Sequence, residues 1–325
     1  MLQEIKLTDI GGFSIGNSQN EAAGTGCTVI ICPDGAPCGL DVRGGGPASR
    51  ESELLNPRAA ADRIHAVLLS GGSAYGLDAA GGVMRYLEEH DIGFDTRICK
   101  VPLVVASCIY DLGCGSNVRP DAALGYAACV AAETNDVQPG NYGAGTGATV
   151  GKACGADYMM KSGLGIFAAQ AGDIKVGAVV AVNALGDVIS GDGQILAGMR
   201  AKDGQGFADT RRVLLDEYGQ TDTLFSQRAA AAVTNTTIGA IITNGRFDKA
   251  QLGKLAAFAG NGIARSIRPV NTMADGDSLY ALSVGTVNAE INTTGTLAAY
   301  VMEEAVRRAV QSAKGAYGVP SCQDL

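Results

Sequence analysis

The amino-acid sequence predicts a layered α/β fold, and three patterns carry that expectation. Apolar runs at 27–32, 66–69 and 101–109, bounded by glycine, proline or polar residues, read as buried strands. Helical periodicity alternates with them: from 74 to 89, Leu77, Ala80, Met84 and Leu87 recur at three- and four-residue steps, which marks one face as buried. The composition of the 325 residues, 46% apolar, 18% charged and 46 glycines, describes a globular chain with a substantial core and no sign of disorder.

In chain order, the strand at 66–69 runs into Gly71-Gly72, whose tight turn opens the helix at 74–89, and residues 120–133 read as a second helix. A strand at 176–182 ends at Asn183. Residues 191–227 turn polar and glycine-rich and read as an exposed connection. Beyond it come a small apolar run at 229–233, a β-branched strand at 238–242, a helix at 249–259, a strand at 279–284 and a helix at 297–313. Glu303, Glu304, Arg307 and Arg308 are read as the solvated face of that last helix. No Pro/Ser-rich linker or charge run divides the chain, so 1–325 is expected to be one domain.

Several function classes are set aside at this level. A net charge of −8 and a pI of about 4.9 argue against a nucleic-acid surface, which needs a clustered basic face. No apolar run reaches membrane-spanning length, and the charged first ten residues give no secretory signal. The nine cysteines form no Cys-x-x-Cys pair, which favours reduced thiols in the cytoplasm. With only His65 and His90 and no paired ligand spacing, no metal is expected. The glycines at 143, 145 and 147 superficially resemble a dinucleotide fingerprint, but a loop precedes them where a strand is required, and no cofactor is expected.

The most informative stretch is Asn235-Thr236-Thr237 at the head of the 238–242 strand, because it puts a hydroxyl nucleophile directly after an asparagine. It reads as a self-cleavage site. A cut before Thr236 frees an α-amine beside its own hydroxyl, and that amine can serve as the base, so no histidine is required. Asn-Thr-Thr is equally a glycosylation sequon, and Thr-rich strand entries are common. A second segment follows, with Asp275 and Asp277 flanking Gly276 just ahead of an apolar strand.

Together these segments resemble the self-processing peptidase family that includes the L-aminopeptidase/D-Ala-esterases, the β-peptidyl aminopeptidases and the nylon-oligomer (6-aminohexanoate-oligomer) hydrolases. Further matching blocks run in order along nearly the whole chain, at 8–16, 41–47, 65–80, 108–112, 143–148 with Gly151 and Lys152, and Val182-Asn183. The resemblance implies an αββα sandwich of the N-terminal-nucleophile kind, cut between Asn235 and Thr236 into an α chain of 1–235 and a β chain of 236–325. It implies Thr236 as nucleophile, Asp275 and Asp277 as the acidic pair that orients the new ammonium, and Asn183 as oxyanion donor. Lys152 matches a family lysine and Tyr110 a site tyrosine. Without the resemblance these residues read as an Asp-Gly-Asp turn, a turn asparagine, a surface lysine and a core aromatic.

The implied activity is amide hydrolysis, with aminopeptidase action on small peptides or amides as the main reading, and the resemblance implies a homo-oligomer, a tetramer or larger. The Asp pair leans toward the nylon-oligomer endo-hydrolases, whereas residues 161–165 resemble the broader peptidases. An acyltransferase of the ornithine acetyltransferase type and a non-catalytic oligomeric subunit are the rival readings.

Overall fold

In the computed structural model, which describes residues 2–216 and 235–325, the elements stack as four layers in the order αββα. One sheet orders six strands as Leu2–Glu4, Leu164–Ala171, Ile174–Asn183, Thr236–Gly245, Ser278–Val287 and Cys38–Val42. Its neighbours are antiparallel except Thr236–Gly245 and Ser278–Val287, and the helix Lys249–Ser266 supplies the crossover a parallel pair requires. The second sheet orders Ser14–Asn20, Thr25–Ala36, Ile64–Ser70, Val104–Cys108 and Ser49–Arg50.

Side-chain alternation explains the layering. In Thr236–Gly245, Ile238, Ala240 and Ile242 join Val67, Leu69 and Val105 of the other sheet in one buried cluster, while Ile241 points the opposite way. There it packs in a cluster with Leu255 of Lys249–Ser266 and Val301 and Val306 of Ile291–Gln311. Helices Ala79–Glu89 and Ala122–Ala132 cover the outer face of the five-stranded sheet through Leu68, Val83, Leu87 and Ala128. Close approach needs a missing side chain at Gly165, where a Cβ would stand 1.8 Å from the Ala305 carbonyl oxygen.

Several boundaries differ from expectation for local reasons. The strand expected at 101–109 is interrupted after Val101, since Pro102 has no N–H to donate, and resumes at Val104–Cys108. The first helix begins as a 3-10 turn, Ser73–Asp78, and is α-helical only from Ala79. Asp121 caps the second by accepting the Leu124 N–H at 2.9 Å. Asp248 and Gln251 close a reciprocal capping box, at 2.8 and 3.0 Å, on a helix that runs on to Ser266.

Two expectations need correction. The connection at 191–227 is not simply exposed: Ile195–Ala197 forms a strand, and Thr210 is fully buried at the start of the helix Thr210–Asp216. The cause is Asp187, a buried carboxylate that accepts from Met199 N–H at 2.7 Å, Thr210 N–H at 2.6 Å and Thr210 Oγ1 at 2.7 Å. The end of that connection, 217–227, and the apolar run at 229–233 lie outside the described residues. The charged face of the last helix is likewise not merely solvated. Arg307 is 13% exposed in its side chain, pairs with Glu303 and Glu304, and donates from Nε to the Ile189 carbonyl at 3.2 Å. Among the described residues no helix is long and apolar enough to cross a membrane.

Because Ile241 fills the space between the central strand and both covering helices, Ile241→Ala should destabilise the fold by about 2–5 kcal/mol. Urea unfolding of a Thr236→Ala background keeps chain cleavage out of the comparison. A loss below about 1 kcal/mol would show that this layer collapses onto the gap.

Candidate active site

Thr236 opens its strand at one end of the space between the sheets and is 4% exposed. The ladder register sets it directly opposite Asn183, the last residue of Ile174–Asn183, so both side chains leave the same face. The Thr236 hydroxyl donates to the carbonyl oxygen of Asn235 in a short contact, and the Gly276 N–H donates to that same oxygen at 2.9 Å. Asn235 is in turn held through its side-chain amide by the Ala274 carbonyl at 3.2 Å. A hydroxyl therefore lies against the peptide group it is expected to attack, whose oxygen already has a backbone donor.

The Asp275–Asp277 loop is built around this peptide. Asp277 accepts the Thr237 N–H at 2.6 Å and the Asn271 N–H at 3.0 Å, while Asp275 accepts from the N–H and Oγ1 of Thr272 at 2.8 and 2.5 Å. Both carboxyls are buried, and burial pushes both above the usual carboxylate range; the neighbouring Asp275 pushes Asp277 further. Residues 43–46 brace the loop from outside: Arg43 N–H donates to the Asp277 carbonyl at 3.0 Å and Gly46 N–H to the Asp275 carbonyl at 2.9 Å. A Cβ on Gly44 would meet the Asp277 nitrogen at 2.3 Å.

Asn183 is fixed from two sides. Its Oδ1 accepts from Lys152 Nζ at 2.8 Å and from the Thr149 N–H at 3.1 Å, and its Nδ2 donates to the Tyr110 backbone carbonyl at 2.9 Å. The Lys152 ammonium also reaches the Asn183 carbonyl at 2.9 Å. Burial pulls the Lys152 pKa down to about 7, against the opposing pull of Asp275 and more distant negative groups. Lys152 is therefore no ordinary surface lysine: it can lose its proton near neutrality.

The structure thus gathers Thr236, Asn183, Lys152, Asp275, Asp277 and Tyr110 at one strand end. Tyr110 enters by a different group from the one expected, since the contact to Asn183 is made by its backbone carbonyl. Sequence reasoning missed Thr149, the brace at 43–46 and the Gly276 N–H, all of which act through backbone groups that residue type does not mark. It also passed over Lys161, a wholly buried lysine whose ammonium donates to the carbonyls of Gly145, Ala148 and Ser162 at 3.2, 2.9 and 2.5 Å. A lysine at the head of an apolar strand was the available signal. Lys161 pins the glycine cluster at 143–148 as structural backbone, and among the described residues no group of three or more His, Cys, Asp or Glu side chains could hold a metal ion.

Comparison with known proteins places this geometry in context. The model of peptidase family S58 matches residues 6–321. An uncharacterized aminopeptidase of Mycobacterium tuberculosis is 35% identical over 98% of this chain and 97% of its own length. A 6-aminohexanoate-oligomer endohydrolase of Kocuria sp. is 32% identical over 93% of this chain and 85% of its own. Among solved structures, a Burkholderia sp. beta-aminopeptidase superposes with a TM-score of 0.67 at 20% identity, covering 97% of this chain and 90% of that one. The L-aminopeptidase D-Ala-esterase/amidase of Ochrobactrum anthropi, described as a variant of the Ntn hydrolase fold, gives 0.66 at 20% identity over 97% and 88%.

A Cβ on Gly276 would lie 2.9 Å from Thr236 Oγ1 and 2.7 Å from the Gly46 carbonyl oxygen. Gly276→Ala should therefore slow any cleavage at Asn235-Thr236 by about tenfold or more, equivalent to about 1.4 kcal/mol in the barrier. The fraction of intact chain against time on denaturing gels measures it; an unchanged rate would mean that this loop does not confine the hydroxyl.

Proposed function

The chain belongs to peptidase family S58 and is an amide hydrolase of the N-terminal-nucleophile fold, and on that premise we propose that it matures by cutting itself between Asn235 and Thr236. The observation that carries this reading is the Thr236 hydroxyl resting against the Asn235 carbonyl, opposite Asn183. In the first stage Oγ1 attacks the Asn235 carbonyl carbon. The Oγ1–C bond forms, the C–N bond breaks, and the hydroxyl proton ends on the nitrogen, which becomes the α-amine of Thr236. Water then hydrolyses the ester, leaving an α chain of 1–235 ending in a carboxylate and a β chain of 236–325 within one domain.

In the second stage the amine takes the hydroxyl proton as Thr236 attacks a substrate amide, then passes it to the leaving nitrogen. Water resolves the acyl-enzyme. Asn183 stabilises the oxyanion, Tyr110 frames the substrate side, and Asp275 with Asp277 orients the ammonium form of the amine. Lys152 holds the Asn183 amide in place and, in its charged form, steadies developing negative charge.

The substrate we assign is a small peptide or amide cut at its N-terminal residue. The 6-aminohexanoate-oligomer endohydrolase among the relatives, together with the Asp275/Asp277 pair, supports endo-cleavage of linear amide oligomers as the second reading. We place the working enzyme in the cytoplasm as a homo-oligomer of processed chains, acting without metal or cofactor and away from nucleic acid and membranes.

Intact mass under denaturing conditions tests the first stage. The wild type should give two fragments meeting between residues 235 and 236, and Thr236→Ala a single chain; one uncut, inactive chain in both would remove the self-processing reading. The second stage predicts a pH profile. Neutral amine is required, so kcat/KM should rise with pH through the amine pKa, ordinarily about 7.7–8.0. Lys152, drawn down to about 7, is largely neutral where that limb rises, so Lys152→Met should lower kcat/KM through loss of the bond to Asn183 and leave the limb within about 0.3 unit of its place. A limb that moves up by about half a unit or more would mean that Lys152 keeps its charge beside the amine.

A further inference from the structure

Beside Lys152 opens a cavity of about 220 Å³. Its walls are Tyr110, Cys114, Thr149, Lys152, Ala156 and Met159, completed by Asp111 and the backbone of Gly113, Gly147 and Gly155. Three of these residues, Tyr110, Thr149 and Lys152, hold Asn183 against the Thr236 position. The cavity therefore adjoins the group assigned to the substrate carbonyl oxygen.

Its charged groups are already engaged. Asp111 accepts from Thr25 Oγ1 and from the Gly72 N–H, each at 2.6 Å. Lys152 bonds Asn183, the Thr149 N–H does the same, and the Cys114 thiol donates to the Gly147 carbonyl at 3.1 Å. A charged group entering here would lose its water and could pair with Lys152 or Asp111 only by breaking the bonds they already make, which disfavours it. Size sets the second limit. An apolar cavity of about 150 Å³ admits benzene, so this one holds a single side chain of up to about benzyl size and not a second residue.

We infer that this cavity receives the side chain of the residue whose carbonyl Thr236 attacks, selecting uncharged aliphatic or small aromatic groups, and that Met159 sets its polarity. Met159 stands partly buried in the wall, next to the exposed Ala156, and has no part in the bonding around Thr236. This rests on the hydrolase reading of the same site, and the two fail differently.

The test uses processed enzyme and the 4-nitroanilides of alanine, leucine, lysine and glutamate. Wild type should cleave the leucine compound with kcat/KM at least about tenfold above the lysine and glutamate compounds. Met159→Glu places a carboxylate in the wall and should move the lysine-to-leucine ratio toward lysine by about tenfold or more; Met159→Ala, the control for lost packing, should keep the preference for uncharged side chains. A wild type that prefers lysine or glutamate overturns the inference. So does a lysine-to-leucine ratio that stays within about twofold in Met159→Glu while leucine is still cleaved. If wild-type enzyme shown by mass to be cut at 235–236 releases 4-nitroaniline from none of the four, the aminopeptidase reading itself falls, and this inference with it.

Discussion

The site depends first on one register. Antiparallel pairing of Ile174–Asn183 with Thr236–Gly245 sets Asn183 opposite Thr236, and a slip of one strand by one residue would turn its side chain to the other face of the sheet, away from its partner. That register is held along eight residue pairs, from Val176–Thr243 to Asn183–Thr236, by strands buried on both faces. The αββα stack thus does more than enclose a core. Its two apolar interfaces specify the alignment of a polar pair at the strand ends.

Around that pair the remaining contacts hold groups in place with few mobile parts. The brace at 43–46 donates backbone hydrogen bonds to the Asp275–Asp277 loop, so the Asp277 carboxyl that accepts from Thr237 and Asn271 sits on a supported turn. On the opposite side Lys161 gathers three carbonyls of the 145–162 region, and Thr149, just beyond the glycine cluster, reaches Asn183. Preorganisation of this kind suits acyl transfer, where donors must already face the oxygen that becomes charged.

Burial is the largest influence on the charged groups of the site. Lys152 and the two aspartates share one low-dielectric region, where burial moves the lysine down and the carboxyls up, so all three are drawn toward the neutral range. Asp187 repeats the logic away from the site, a buried carboxylate satisfied wholly by uncharged donors. It ties the segment around Thr210 to the strand end that carries Asn183.

By itself the sequence determined the layer type, the apolar strand at 238–242, the hydroxyl after Asn235 and the Asp-Gly-Asp turn, because each is a local pattern of residue types at short spacing. It also brought Asn183, Lys152 and Tyr110 into consideration, through ordered blocks that resemble one family. Only the tertiary structure decided that these residues meet, that Tyr110 reaches Asn183 with its carbonyl, and that Arg307 and Thr210 are enclosed. It alone exposed the parts played by Gly276, Thr149, Lys161 and Asp187. The reason is physical: backbone donors carry no residue signature, and the burial that shifts Lys152 arises from elements far apart in the chain.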